Sequence, residues 1–368
     1  MKFCCYKSDL KEAVQFAMRA VANKPQTPVL SGIYIKTEGT MLELQSNNFS
    51  VGIAAKIPVN VEVPGATVVS GKKFMEFVRN MPDDTITIEE SENVLSLKSG
   101  GATVDLLTMS PDDFPKVETL GSETGFKIKA GSLKNLIRRT VFSVARGNDR
   151  PLFTGCCFEI KDNEIISTAT NAHRLAQYKE NLVGEYPSCK FVVPAETLSG
   201  ILSRLDGVAA DDFIEVNYNV QKVSFMFESV LVTSRLLAGE FPPVDKVIPK
   251  ETATQIEVAT AELKAAADFV SLMSKETEYN TVKFVIDDYG LEVSANSPEA
   301  GGAVKNVEAK FSGEDLEIAF NVDYITDALK VVDSPKLKLE FNDRFSPMLL
   351  IEPDNPNFIY VATPVRTS

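Results

Sequence analysis

The strongest constraint on how this chain folds is that it repeats one plan three times. Phe3–Lys11, Phe126–Lys134 and Ile256–Lys264 each run as a short alternating strand that ends in a Leu-Lys pair. Phe126 follows Phe3 by 123 residues, and Ile256 follows Phe126 by 130. Ser8, Gly131-Ser132 and Thr260 stand where a helix would be capped, and apolar residues then recur at three- and four-residue steps. They are Leu10, Val14, Ala17 and Val21; Leu133, Leu136, Ile137, Val141 and Val144; Leu263, Ala266, Ala267 and Val270. That spacing predicts an amphipathic helix in each copy. Some 62–65 residues after these leucines a second unit of strand end, cap and helix appears, at Val69–Phe77, Val193–Ile201 and Phe320–Ala328. Alternating runs such as Thr85–Glu89, Phe213–Val216 and Leu337–Phe341 predict strands after each.

The offsets divide the 368 residues into domains at 1–120, 125–246 and 250–368, each long enough for its own core. The linkers, Leu120–Gly125 and Pro249–Thr254, are rich in turn formers. Two helices and about eight strand-like runs per domain predict an α+β fold, with helices layered on antiparallel sheets.

Composition narrows the chemistry. No apolar run approaches 18 residues, and the first residues, Met1–Asp9, lack an apolar signal core, so neither a membrane span nor secretion is expected. The five cysteines form no C-x-x-C spacing and suit reduced thiols in a cytoplasmic protein. His173 is the one histidine; in a Thr-Asn-Ala-His-Arg-Leu strand it is expected to be a hydrogen-bonding structural residue and not a catalytic one, and no second histidine can join it in a metal site. Gly65–Lys73 has its glycines six apart where a phosphate loop needs five, and no Ser or Thr follows the lysine. It is expected to be a strand entering a helix. Neither a cofactor nor a metal is expected, and a hydrolase or transferase of repeated domains is disfavoured.

Net charge is −13, which opposes a general affinity for nucleic acid. The charge is unevenly spread, however. The six predicted helices, at 8–24, 70–80, 132–146, 194–204, 260–275 and 321–330, together carry about +6, leaving about −19 elsewhere. Three similar domains can form an arc, and two arcs can close by dimerisation. Twelve helices lining such a closure at ~10 Å spacing give a circumference of about 120 Å. After subtracting a helix diameter of ~10 Å, the bore is ~28 Å, wider than a DNA duplex of roughly 20 Å.

Several segments resemble the bacterial DNA polymerase III beta subunit family, the sliding clamps. They are Thr170-Asn-Ala-His173-Arg174-Leu175, Phe241-Pro242, Phe320-Asn321-Val-Asp-Tyr324 and Tyr360-Val-Ala-Thr-Pro364-Val-Arg366, within a three-fold repeat that spans the whole chain. The resemblance implies a DNA-clamp fold in a head-to-tail homodimeric ring of six domains, with helices inside and sheets outside. It also implies no catalytic activity. The ring would encircle duplex DNA without regard to sequence and would be opened by an ATP-dependent clamp loader. It would tether the polymerase III alpha and delta subunits, other polymerases and repair proteins through their short linear motifs.

Carried over by resemblance, the partner groove comprises Phe153, Thr170, Ala172, His173, Arg174, Leu175, Pro242, Lys246, Val247, Asn321, Tyr324, Met348, Thr363, Pro364, Val365 and Arg366. Lys246 stands where other members carry arginine, and Thr363 where they carry methionine. DNA-facing positions are Lys24, Lys72 and the loop Gly147 to Leu152, including Pro151. Arg79, Arg138, Arg139 and Arg146 join them from the basic helices. The dimer seam is expected to set Val104 and Leu106 on an edge strand against Leu272 and Met273 of the other subunit.

Overall fold

The computed structural model describes all residues except 122–123, 148, 275–279, 298–299 and 367–368. Lys275, counted above in the fifth helix, lies outside the described residues. Among the described residues there are six α-helices: α1 (Lys7–Ala17), α2 (Gly71–Asn80), α3 (Ala130–Arg138), α4 (Ala195–Leu205), α5 (Thr260–Ser274) and α6 (Val322–Leu329). All six sit where the periodicity places them, and several are shorter. Over these bounds they hold nine basic and eight acidic side chains. Most of the expected positive excess therefore falls away, because Arg19, Lys24, Arg139, Arg146 and Lys330 lie beyond helix ends.

The capping expectation is corrected too. Ser8 lies inside α1 and bonds Asp9, Ser132 lies inside α3 and reaches Glu180, and the Thr260 hydroxyl donates to the Ser334 carbonyl. In their place a main-chain carbonyl receives the first helical N–H of each repeat: Lys7 to Asp84 (2.8 Å), Ala130 to Asp212 (2.8 Å) and Thr260 to Pro335 (2.9 Å). A distant turn does the work of a side chain, so the strand can pass directly into the helix. Of the second helices α6 differs in this respect, since Asn321 caps it by accepting from Asp323 N–H at 2.9 Å, whereas Ser70 makes no such bond at α2.

By contacts the chain forms two compact units, residues 1–131 with 196–236, and residues 132–195 with 237–368. The stretch 125–246 contributes to both, because its strands extend the sheets of its neighbours. In the first unit a thirteen-stranded antiparallel sheet joins repeats where Val230–Arg235 pairs with Val51–Pro58. Its core packs Leu10, Val14 and Ala17 of α1 and Phe74 and Val78 of α2 against strand residues such as Ile33, Ile86 and Leu97. In the second unit a nine-stranded sheet joins repeats where Arg174–Asn181 pairs with Asn355–Ala362, and a four-stranded sheet stands beside it.

The second junction is clasped by Arg139, which is 3% exposed. Its guanidinium pairs with Glu352 and, at 2.8 Å, with Asp333, and lies between the rings of Tyr178 and Phe358 at 5.1 and 5.3 Å. The other Glu352 oxygen accepts N–H groups of Asp333 and Ser334 at 3.1 and 3.0 Å. Arg138 pairs with Asp333 at the surface and holds that carboxyl below the usual range. Arg139 is thus a buried structural cation, contrary to its expected DNA-facing role, and Arg138 is already committed to an internal partner. Arg139→Met should strand the Glu352 charge and cost about 3–5 kcal/mol; a loss under about 1 kcal/mol in urea unfolding would contradict the clasp.

Candidate partner-binding groove

The second unit brings the sequence-selected groove residues together around one turn and one tail. The turn 170–174 is shaped by Asn171, whose side-chain oxygen accepts the N–H groups of His173 (3.0 Å) and Arg174 (2.9 Å). Thr170 Oγ1 donates to the Arg174 carbonyl at 2.7 Å and accepts from Ala172 N–H at 3.1 Å. Ala172 takes a left-handed φ of 76°, which this web of bonds holds in place. His173 therefore faces outward, and its working atom is its main-chain oxygen. That oxygen receives both the N–H and the hydroxyl of Thr363, each at 2.9 Å. Two residues on, Val365 N–H donates to the Ala319 carbonyl at 2.8 Å. The tail Thr363–Arg366 is thereby pinned between the turn and the strand Leu316–Asn321.

Under the turn and tail lies an apolar floor of Leu175, Leu349 and Val361, extended by Val244, Ile248, Ile351 and Ile359. Val244 also touches the neighbouring cluster of Cys157, Val192, Phe241, Leu152 and Phe153. The rings of Phe153 and Phe241 meet edge to face, with centroids 6.0 Å apart. Around the floor Pro242, Lys246, Val247 and Arg366 are exposed, whereas Met348 is buried beneath it and offers no surface. Apolar anchors below and a few polar groups above suit an extended peptide.

Arg174 is a second correction to the expected roles. It is buried, not lining, and its guanidinium pairs with Asp327 at 2.9 Å, donates to the Phe142 carbonyl and lies over the Tyr324 ring at 4.8 Å. It fixes the turn to α6, while Tyr360 ties its hydroxyl to the Tyr324 carbonyl at 2.7 Å. Asp327 and Phe142 were missed in the sequence because neither stands near the motif that Arg174 belongs to.

The remaining expected sites divide by unit. In the first unit Lys24, Lys72 and Arg79 are exposed, with Lys73 beside them. In the second unit Arg146, Gly147 and Pro151 are exposed, while Leu152 turns into the Phe241 cluster and serves as an anchor of its loop. Asn148 of that loop lies outside the described residues. For the seam, Leu106 is 6% exposed and belongs to the core of its own unit, with Val104 packed beside it. Strand alternation makes Leu107, 80% exposed, the outward residue. On α5, Leu272 is 72% exposed and Phe269 joins it one turn earlier, whereas Met273 is half-buried.

Three sequence profiles of the DNA polymerase III beta subunit match the chain in succession. The N-terminal domain covers residues 1–118, the central domain 127–243 and the C-terminal domain 245–366. The beta sliding clamps of Bacillus subtilis and Halalkalibacterium halodurans are 32% and 31% identical over 379 and 381 residues, with 100% of each chain covered. The crystal structure of the DNA polymerase sliding clamp from Bacillus subtilis matches with a TM-score of 0.94, at 32% identity and with 100% of both chains covered.

Burial alone would raise the Asp327 pKa, but hydrogen bonds from Arg174 and Lys330 overcome it and hold the carboxyl below its ordinary value. A depressed carboxylate stabilises the fold above its unfolded pKa and loses that contribution as pH falls through the folded value. The stability gap between the native chain and Asp327→Asn should therefore be constant near neutrality and shrink below about pH 4. A gap independent of pH down to 2 in denaturant titrations would contradict the pairing.

Proposed function

This chain belongs to the DNA polymerase III beta subunit family, the beta sliding clamps, and is a non-catalytic processivity factor of DNA replication; from that premise we propose how its residues do the work. The protein holds the replicative polymerase on DNA by topology and by a peptide groove, and not by a chemical step. The carrying observation is the pinned tail, Thr363–Arg366, set over the apolar floor of Leu175, Leu349 and Val361 and beside the exposed Pro242, Lys246 and Val247. The polymerase alpha and delta subunits, and other polymerases or repair proteins, insert apolar anchors of short motifs there and take polar contacts from the rim. The domains of the working particle are 1–120, 125–246 and 250–368, and two copies close head to tail around the duplex.

Electrostatics support enclosure over grip. A chain of net charge −13 repels DNA at long range, while Lys72, Lys73 and Arg79 give α2 three cations against the single acid Glu76. Together with Lys24 and Arg146 these make weak phosphate contacts that salt competes away, which permits sliding.

The seam is supported by two open strand edges. Ala102–Met109 pairs with Val94–Ser99 along its length but with Gly65–Ser70 only through Thr108 and Met109, and Gly301–Val307 ends the four-stranded sheet. Such edges invite pairing with another chain. Joining one to the other head to tail satisfies both and sets Leu107 against Phe269 and Leu272.

The loaded protein should stay on closed circular DNA through a gel-filtration column and leave once the circle is cut; equal loss from both forms would refute encirclement. Truncation after Thr363 should abolish binding of a polymerase-derived motif peptide without altering the circular dichroism spectrum, and retained affinity would refute the groove. Leu107→Asp combined with Leu272→Asp should yield monomers in sedimentation, and a persistent dimer would refute the seam.

A further inference from the structure

The repeat places a second junction of the same design in the first unit. There Val230–Arg235 pairs with Val51–Pro58, and Arg235 N–H donates to the Ser50 carbonyl at 2.8 Å, as Thr363 N–H does to that of His173. The lining, however, is different. Gly52, Thr233 and Ser224 occupy the register positions of Leu175, Val361 and Leu349, and Val117 lies down upon them. A Cβ on Gly52 would come within 3.0 Å of a Val117 methyl, so this half of the junction is already filled.

The open space is displaced toward the Phe227–Val230 hairpin. It is a cavity of about 550 Å³ floored by Ala54, Val117, Met226 and Leu231. Glu43, Glu118 and Glu228 stand around it against one cation, Lys56. Gln45 donates to Glu43 at 2.9 Å and Arg204 pairs with Glu228 at 3.5 Å, so two of the three carboxylates are held in place and the rim keeps a net negative charge. The edge of the second-unit groove is mixed in charge, with Lys246 and Arg366 exposed beside Asp245. One scaffold thus presents two apolar floors, one with a mixed rim and one with an acidic rim.

We propose that this cavity is a second docking site, for an extended peptide of a partner protein in which aliphatic anchors are flanked by lysine or arginine. The floor takes the anchors, and the three carboxylates select the flanks and reject acidic segments. The two junctions then hold different partners without competition. This site stands on its own lining and does not depend on what the second-unit groove binds.

The test is an anisotropy titration of the full chain with a labelled synthetic peptide that has a Leu-Val-Leu core between pairs of lysines. Saturable binding is expected, weakened at least tenfold by Glu43→Lys with Glu118→Lys and likewise by the cavity-filling Ala54→Leu. It should be unchanged by truncation after Thr363 and by the charge-matched control Glu308→Lys with Glu314→Lys. Absence of saturable binding overturns the proposal. So does an equal loss in the control pair, which would mark non-specific attraction, or a loss on truncation, which would place the peptide in the other groove.

Discussion

Antiparallel pairing between strands of successive repeats is the interaction on which the rest of this structure depends. Val230–Arg235 on Val51–Pro58, and Asn355–Ala362 on Arg174–Asn181, turn separate sheets into continuous ones. Main-chain bonds of this kind fix register, and register decides which side chains share a face. Leu175 and Val361 meet on one floor because their strands are in that register, and the tail beyond Ala362 is then delivered to the His173 carbonyl. The groove is a by-product of how the repeats are joined.

Two arginines hold the second junction, and both do so at the cost of a surface role. Arg139 and Arg174 are each buried, paired with a carboxylate and laid against aromatic rings. Taking a guanidinium out of water is costly unless its charge is met, and here carboxylates and a carbonyl meet the terminal nitrogens, while each Nε is buried without a hydrogen-bond partner. Their contribution is specificity of docking as much as stability, since a shifted junction would leave two cations unpaired. The first junction lacks such buried cations at the same positions: Val51 stands where Arg174 does in the register, and Arg204 pairs with Glu12 nearer the surface. Its apolar contacts, with Val117 folded onto Gly52, do the equivalent work.

Charge is organised on a finer scale than the helices. Nine basic residues against eight acidic ones leave the helices nearly neutral, and the exposed cations stand at particular places. Lys72, Lys73 and Arg79 share one helix, whereas Arg146 follows a short turn after α3. A few exposed cations on an acidic protein give weak, salt-sensitive contacts to a polyanion, and a clamp that must slide requires contacts of that kind.

The amino-acid sequence by itself determined the three-fold plan, the six helices and the family, because these rest on local periodicity and on short contiguous motifs. Resemblance to that family, and not the residues alone, set the turn 170–175 beside the tail 363–366, whose meeting requires a strand pairing nearly two hundred residues apart in the chain. The tertiary structure alone decided which cations are free and which are buried, since Arg138 and Arg139 are adjacent and their partner Asp333 is remote. It also decided that Leu107 and not Leu106 faces outward, and that a main-chain carbonyl replaces the expected helix caps. Periodicity reports what each segment prefers on its own, but burial and pairing depend on what the rest of the chain brings against it.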